Sequence, residues 1–371
     1  MKKSIIAILC AAMLAACTET ESESRKLIII AGTYTDTGSA GIYSLCFDTE
    51  TGEAALIDSC RIANPSYLTL SDDGTRIYAV SELEEGGGGA AAIAFDKDNG
   101  SFRLLNVQPA HGDSPCYIST NGQAVVTANY MGGSMSVFSI AADGSLEPVS
   151  AVCNGAAGGP DPERQATPHV HCAVFAPDGK HLYASDFSAD RLLCFDVDGS
   201  SISPSLDSDL QQLSVPVASD SGPRHLIFNE AGTHAYLIGE LSGAVTVFDV
   251  TQGLLTPKQT IDADPYDGRG SADIHLSPDG RFLYASNRLK GDGIAVFAVD
   301  GATGMLTEAG YCYTGPHPRH FNITPDGRWL LCACRDSNAI EIYELDPENG
   351  IPAATGRTIE LRKPVCVQFV P

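Results

Sequence analysis

Imidazoles and guanidiniums recur side by side in this sequence: His169-Val170-His171, Arg224-His225, Asp273-Ile274-His275, Ser286-Asn287-Arg288 and Arg319-His320. Histidine takes up and returns a proton near neutral pH, and arginine grips carboxylate or phosphate oxygens with paired N–H donors. Brought together, such residues would do acid–base chemistry on an anionic substrate. Glu82, Asp186, Glu240 and Asp273 are carboxylates suited to hold those arginines and tune the imidazoles. Other chemistries lack their signatures. No phosphate-cradling glycine loop, dinucleotide fingerprint or nucleophilic serine elbow occurs in a suitable context. Cys332-Ala333-Cys334 could set two thiols on one face of a strand, but no second Cys or His pair at zinc spacing accompanies it. Neither a metal nor another cofactor is expected, although several histidines at one place would also allow a metal.

The elements that would assemble these residues form a repeat. An apolar strand, an Asp-Gly-type turn and a second strand ending in small and polar residues recur around Gly74, Gly122, Gly179, Gly232, Gly280 and Gly327, at intervals of 48, 57, 53, 48 and 47 residues. Glycine supplies the positive φ that the turn or its bulge demands. An alternating third strand follows, as in Val245-Thr246-Val247-Phe248-Asp249, and then a more polar fourth. Four strands in a repeat of about 50 residues make a propeller blade. The chain ends supply partial units: residues 27–34, 42–48 and 54–61 match strands two, three and four, and 364–370 supply the missing first. The expected fold is all-β, a seven-bladed β-propeller over 27–371, closed by pairing of N- and C-terminal strands in one blade. Closure removes the free sheet edges that invite aggregation.

In a blade, the start of strand one and the end of strand two lie at the same rim of the central channel. With the turn glycine as zero, positions −8 and −7 hold Ser66-Tyr67, Ser114-Pro115, His171-Cys172, Arg224-His225, Ala272-Asp273 and Arg319-His320. Position +8 holds Glu82, Tyr130, Phe187, Glu240, Arg288 and Arg335, with Tyr34 equivalent in the shared blade. A chain of formal charge −23 is thus expected to gather Arg224, Arg288, Arg319 and Arg335 with His171, His225 and His320 at one mouth, and His169 and His275 nearby. The Gly- and Pro-rich stretch 155–168 falls in the longest interval. It is expected to arch over that mouth and carry Glu163, Arg164 and Gln165 to it.

Residues 1–16 combine Lys2 and Lys3, an apolar run from Ile5 to Leu14, and Ala15-Ala16 ahead of Cys17. The run is too short to span a bilayer and has the form of a signal peptide. Leu14-Ala15-Ala16-Cys17 resembles a bacterial lipobox, so Cys17 is expected to carry lipid, with 17–26 as a flexible acidic tether. The expected location is the cell envelope, at the periplasmic or outer-membrane face, with membrane contact only through the anchor. Loss of the leader's two lysines takes the charge to −25. That acidity argues against nucleic-acid or anionic-membrane binding as the main role. Hydrophobic content of 43% and charged content of 19% exclude disorder over most of the chain. Cys46, Cys172, Cys194, Cys332, Cys334 and Cys366 lie in apolar strand-like runs with no compact framework of spacings, so buried free thiols are expected rather than disulfides. A closed ring needs no partner, and a monomer is the default.

Several segments together resemble the lactonase family of seven-bladed propellers, which includes bacterial 6-phosphogluconolactonases and fungal carboxy-muconate lactonizing enzymes. They are Gly32-Thr33-Tyr34-Thr35 with Gly41-Ile42-Tyr43, Asn64-Pro65-Ser66-Tyr67-Leu68, Asn129-Tyr130-Met131-Gly132-Gly133-Ser134, and Pro160-Asp161-Pro162-Glu163-Arg164-Gln165. Pro168-His169-Val170-His171, Gly222-Pro223-Arg224-His225, Ala272-Asp273-Ile274-His275, Ser286-Asn287-Arg288 and Pro318-Arg319-His320-Phe321 complete the set. The Gly86-Gly87-Gly88-Gly89 run departs from the family pattern. The resemblance implies hydrolysis of a sugar lactone to its aldonic acid, with His171, Arg224, Glu240 and Arg288 as the catalytic set. His171, or His169 if the register is shifted, would be general base. Arg224 and Arg288 would hold the substrate anion and the oxyanion, and Glu240 would orient an arginine or pass a proton to the leaving alkoxide. Substrate-binding positions would be Glu82, Asn129, His169, His225, Asp273, His275, Arg319 and His320. A non-catalytic propeller that binds acidic sugars or a protein, and a muconate-type cycloisomerase, are the alternatives.

Overall fold

The computed structural model describes residues 26–206 and 211–371. The leader, Cys17 and all but the last residue of the tether lie outside them. Pro364–Phe369, Lys26–Thr33, Gly41–Asp48 and Ala54–Arg61 form one antiparallel sheet in that order, Ala31 pairing with both Val367 and Tyr43. The two ends of the chain therefore share a blade. Six further sheets follow in sequence order, beginning at Leu68, Pro115, Val170, Pro223, Ile274 and Pro318, and the seventh-blade closure expected from the repeat is what the strands make. In the Val170 blade the outer strand is interrupted, so that Ser201–Pro204 and Ser214–Pro216 both pair with Arg191–Asp198. Among the described residues no helix is long and apolar enough to cross a membrane.

The hairpin turns have the chemistry their sequence announces. In Pro177-Asp178-Gly179, Gly179 adopts φ +67° and donates to Ala176 O, while Asp178 Oδ1 accepts from the backbone of Lys180 and His181. Second strands such as Phe282–Asn287 and Trp329–Cys334 are buried along their whole length because neighbouring blades cover both faces. Fourth strands such as Leu254–Asp262 are mostly exposed. Apolar clusters fill the spaces between successive blades, and a repeated polar latch crosses five of the seven junctions. The hydroxyls of Tyr78, Tyr183, Tyr236 and Tyr284 donate to the carbonyls of Gly144, Gly253, Gly304 and Gly350 in the next blade, and Trp329 Nε1 donates to Thr49 O. The ten cysteines of the described residues are all unpaired.

The first strands carry the feature that shapes the channel mouth. In five blades the register slips between the first residues of this strand, leaving one extra residue opposite its partner strand: Cys116, one of His171-Cys172, Arg224, Arg319 and Val365. A bulge of this kind re-aims side chains. Here it lets two consecutive residues serve the channel in two layers.

Candidate active site

The upper layer and the ends of the second strands enclose a cavity of about 240 Å³ lined by Glu82, Cys116, Tyr130, Arg164, His171, Glu240, Arg288 and Arg319. Glu240 is its electrostatic centre. Its Oε1 accepts from Arg164 Nη2 at 2.7 Å and lies 3.3 Å from Arg288 Nη2, while Oε2 accepts from Arg224 Nε at 2.8 Å. Burial alone would raise this carboxyl. The guanidiniums of Arg288, Arg224 and Arg164 outweigh it and hold Glu240 down at about 2. His171 Nε2 stands 3.9 Å from Glu240 Oε2. Burial, and then the positive charges of Arg224 and Arg319, push His171 well below the usual imidazole value, so it is neutral at pH 7. On the opposite wall Arg319 lies over the Tyr34 ring and 3.7 Å from Glu82, whose carboxylate accepts from the Tyr34 hydroxyl. Burial pushes the Cys116 thiol up, away from thiolate character.

Beneath this cavity a second layer closes the channel. Tyr67 stacks on Tyr117 at 4.2 Å, and both rings meet His225 edge-on. Asp273 sits among three imidazoles, with Oδ1 2.8 Å from His225 Nδ1, and Oδ2 2.9 Å from His275 Nε2 and 3.6 Å from His320 Nε2. Asp273, His275 and His320 are the described residues spaced to hold a metal ion. The proton positions fit poorly with one. Val367 N donates to His320 Nδ1 at 3.3 Å, which leaves the ring proton on Nε2, the nitrogen that would have to give its lone pair to the ion.

The sequence matches the lactonase, 7-bladed beta-propeller family over residues 28–369. The chain belongs to this lactonase family. It is 35% identical over 358 residues to the 6-phosphogluconolactonase of Bacillus subtilis, covering 93% of this chain and 99% of that protein. A solved structure from Bacteroides uniformis, 51% identical, superposes with a TM-score of 0.90 over 93% of this chain and 100% of the other. The Pseudomonas aeruginosa periplasmic gluconolactonase, 33% identical, superposes at 0.84 over 93% of this chain and 99% of its own.

In this lactonase-family chain the residues expected at the mouth fall into three groups. His171, Glu240, Arg288, Arg319 and Glu82 line the cavity, with Arg224 bonded directly behind Glu240. His225, Asp273, His275 and His320 form the layer below and do not line it. His169 and Asn129 stand outside. The His169 ring stacks on Tyr130 at 4.3 Å and donates from Nδ1 to Tyr130 O, and the Asn129 amide donates to Ser134 and Ser136 inside its own blade. Two further expectations are corrected. Arg335 turns to its neighbour Asp336, with contacts of 2.7 and 3.0 Å, rather than to the channel. Asp186 holds Arg191 and the backbone of Ala156, anchoring the loop rather than a cavity arginine.

The 155–168 loop delivers Arg164 to the cavity. Gln165 instead turns inward to Phe187 O and Asp190, and Glu163 remains exposed. Arg269, from another rim loop, clasps Asp161 of this loop and Asp220. Cys116 and His317 were not anticipated. His317 Nε2 lies 3.4 Å from Arg288 Nη1, and its signal was faint: a histidine beside the Pro318-Arg319-His320 motif, held at φ +62°.

Proposed function

We propose that this protein hydrolyses a sugar lactone to its aldonic acid, and that the cavity around Glu240 is where it does so. The observation that carries the reading is the pairing of a neutral buried imidazole, His171, with a carboxylate fixed by three guanidiniums. His171 takes the proton of a water whose oxygen attacks the lactone carbonyl carbon. Charge moves to the carbonyl oxygen, where Arg224 and Arg288 stabilise it. Collapse breaks the bond to the ring oxygen, and the imidazolium returns its proton to that leaving alkoxide. Glu240, too acidic at about 2 to deliver a proton, orients the arginines and offsets the transient charge on His171.

Four arginines against two glutamates, with His171 neutral, make the cavity cationic in an acidic protein. This favours a lactone bearing an anionic group, phosphate or carboxylate, over a neutral sugar. The relatives named 6-phosphogluconolactonase and periplasmic gluconolactonase support the substrate class. The signal-peptide and lipobox pattern of residues 1–17 supports a lipid-anchored location outside the inner membrane, in keeping with the periplasmic relative. The decisive measurement is the decay of glucono-lactone and of its 6-phosphate above the spontaneous rate, with wild type and Arg288→Ala. Acceleration that Arg288→Ala abolishes is the expected result. Equal decay with and without protein would remove the reading and leave a binding propeller.

A further inference from the structure

We propose that Arg319 and Glu82 are the specificity-determining pair of the cavity, a guanidinium and a carboxylate that read the hydroxyls of the lactone ring and so select a sugar lactone over a bare one. The proposal rests on the lactonase reading of the cavity. Both side chains line it. Arg319 Nη2 lies 3.7 Å from Glu82 Oε2, beyond hydrogen-bond reach. Its guanidinium covers the Tyr34 ring at 5.4 Å and has no hydrogen-bond acceptor among the described residues. The other arginines of the site are engaged, Arg164 and Arg224 with Glu240 and Arg288 with Gly270 O. Arg319 therefore holds donors in reserve for a ligand. Its side chain is 14% exposed and that of Glu82 18%, so bulk water does little to satisfy either.

The backbone around the pair holds it in place. Arg319 is the bulge residue of its first strand, unpaired between Pro318 and His320. Asn64, at φ +44°, accepts at Oδ1 from Thr35 N and Oγ1, each at 2.9 Å, and donates from Nδ2 to Glu82 O at 3.2 Å. Its own carbonyl accepts from Glu82 N at 3.0 Å. Asn64 thereby joins the chain just past Lys26–Thr33 to the chain just past Arg76–Ser81, and the Tyr34 hydroxyl completes the link by donating to Glu82 at 3.0 Å. Each carboxylate oxygen keeps a further lone pair. A hydroxyl both donates and accepts, so it satisfies the guanidinium and the carboxylate together. An anionic group does so less well, because Arg319 would attract it and Glu82 would repel it. The excess positive charge of the cavity lies instead around Glu240, where three guanidiniums face one carboxylate. A ring without hydroxyls leaves both members of the pair desolvated and unpaired, the circumstance in which discrimination between substrates is largest.

The test compares kcat/KM for glucono-lactone, its 6-phosphate and δ-valerolactone, the same ring without hydroxyls, in wild type, Arg319→Met and Glu82→Gln. Wild type is expected to favour glucono-lactone over δ-valerolactone by about 100-fold or more, and each variant to reduce that ratio by about tenfold or more. A ratio near one in wild type, or one that both variants preserve, overturns the proposal while the lactonase reading stands. So does a loss in Arg319→Met confined to the 6-phosphate, which would make this residue an anion anchor. Independently of turnover, saturation-transfer NMR is expected to detect anhydroglucitol, a pyranose ring that keeps the sugar hydroxyls and lacks the carbonyl, but not tetrahydropyran, and to lose the signal in both variants. Equal signals from the two rings, or binding that survives both substitutions, overturns the proposal. If wild type hydrolyses no lactone the lactonase reading fails, and hydroxyl reading by the pair stands or falls on this binding alone.

Discussion

His171 Nε2 and Glu240 Oε2 are 3.9 Å apart, too far for a direct hydrogen bond and near enough for the carboxylate to stabilise an imidazolium formed in the cavity. Burial and the surrounding guanidiniums keep the resting ring neutral. The base is therefore ready without first losing a proton. His171→Gln should lower kcat by about 100-fold or more with little change in KM. Because the folded His171 binds its proton well below the ordinary imidazole range, the acid limb of kcat/KM should lie below pH 6.5. A limb centred at or above pH 7 would show that another group is the base.

Glu240 counters three arginines in a closed space. Removing its charge leaves like charges facing one another without compensation. Breaking a buried ion pair from one side costs about 3–5 kcal/mol. Glu240→Gln keeps the shape but not the charge, so it should lower both the denaturation midpoint and kcat. Loss of activity at unchanged stability would mean that the arginines find other partners.

Legibility in the sequence followed the physics of each part. Turn glycines report a local backbone requirement, so the blades and the closing strand at 364–370 stood out. The second-strand ends were legible too, because Glu82, Tyr130, Glu240 and Arg288 share one offset from the turn, and all four line the cavity. The same offset misplaced Arg335, since a 3-10 turn at Arg335–Ser337 brings Asp336 within its reach. First strands were harder. The turn at Gly122 is two residues shorter than those at Gly179, Gly232 and Gly327, so Cys116, six residues before its glycine, occupies the place that His171, Arg224 and Arg319 take at eight. The separation into two layers was equally hidden, because a register slip is a property of pairing and leaves no mark in a single strand.

The Tyr284 hydroxyl donates to Gly350 O at 2.9 Å across a blade junction, far from the cavity. Tyr284→Phe strands one buried carbonyl and should cost about 1–2 kcal/mol of unfolding free energy with no change in kcat. Denaturant titration beside a rate assay checks both halves. A drop in kcat would mean that the junctions transmit to the mouth.

Acid should destabilise the fold before the carboxylates titrate. Burial, reinforced by neighbouring arginines, holds His225 and His317 at about 3 and His320 at about 4, below the unfolded value near 6.5. As pH falls through 6.5 the unfolded chain takes up these protons and the folded chain does not, so stability present above 6.5 is progressively lost. Each such imidazole accounts for up to about 2 kcal/mol between pH 6.5 and 5. The unfolding midpoint should therefore fall over this interval, and His320→Gln should flatten the slope. A midpoint level from pH 7.5 to 5 would show that these rings already carry protons in the folded protein.

The imidazole–carboxylate group beneath the cavity gives the sharpest test of proton placement. A metal bound by Asp273, His275 and His320 would need the His320 Nε2 lone pair, forcing the ring proton onto Nδ1. There it would face the Val367 N–H that now donates to that nitrogen at 3.3 Å. Two donors would then oppose each other at a buried site, where an unsatisfied polar group costs about 1–3 kcal/mol. The present arrangement keeps the Val367 contact, with Nε2 3.6 Å from Asp273 Oδ2, beyond hydrogen-bond reach. Dialysis against a strong chelator should therefore leave both the lactonase rate and the Tm unchanged, and added zinc should raise neither. A rate or Tm that falls with chelation and returns with metal would assign the His320 proton to Nδ1 and make this group a metal site.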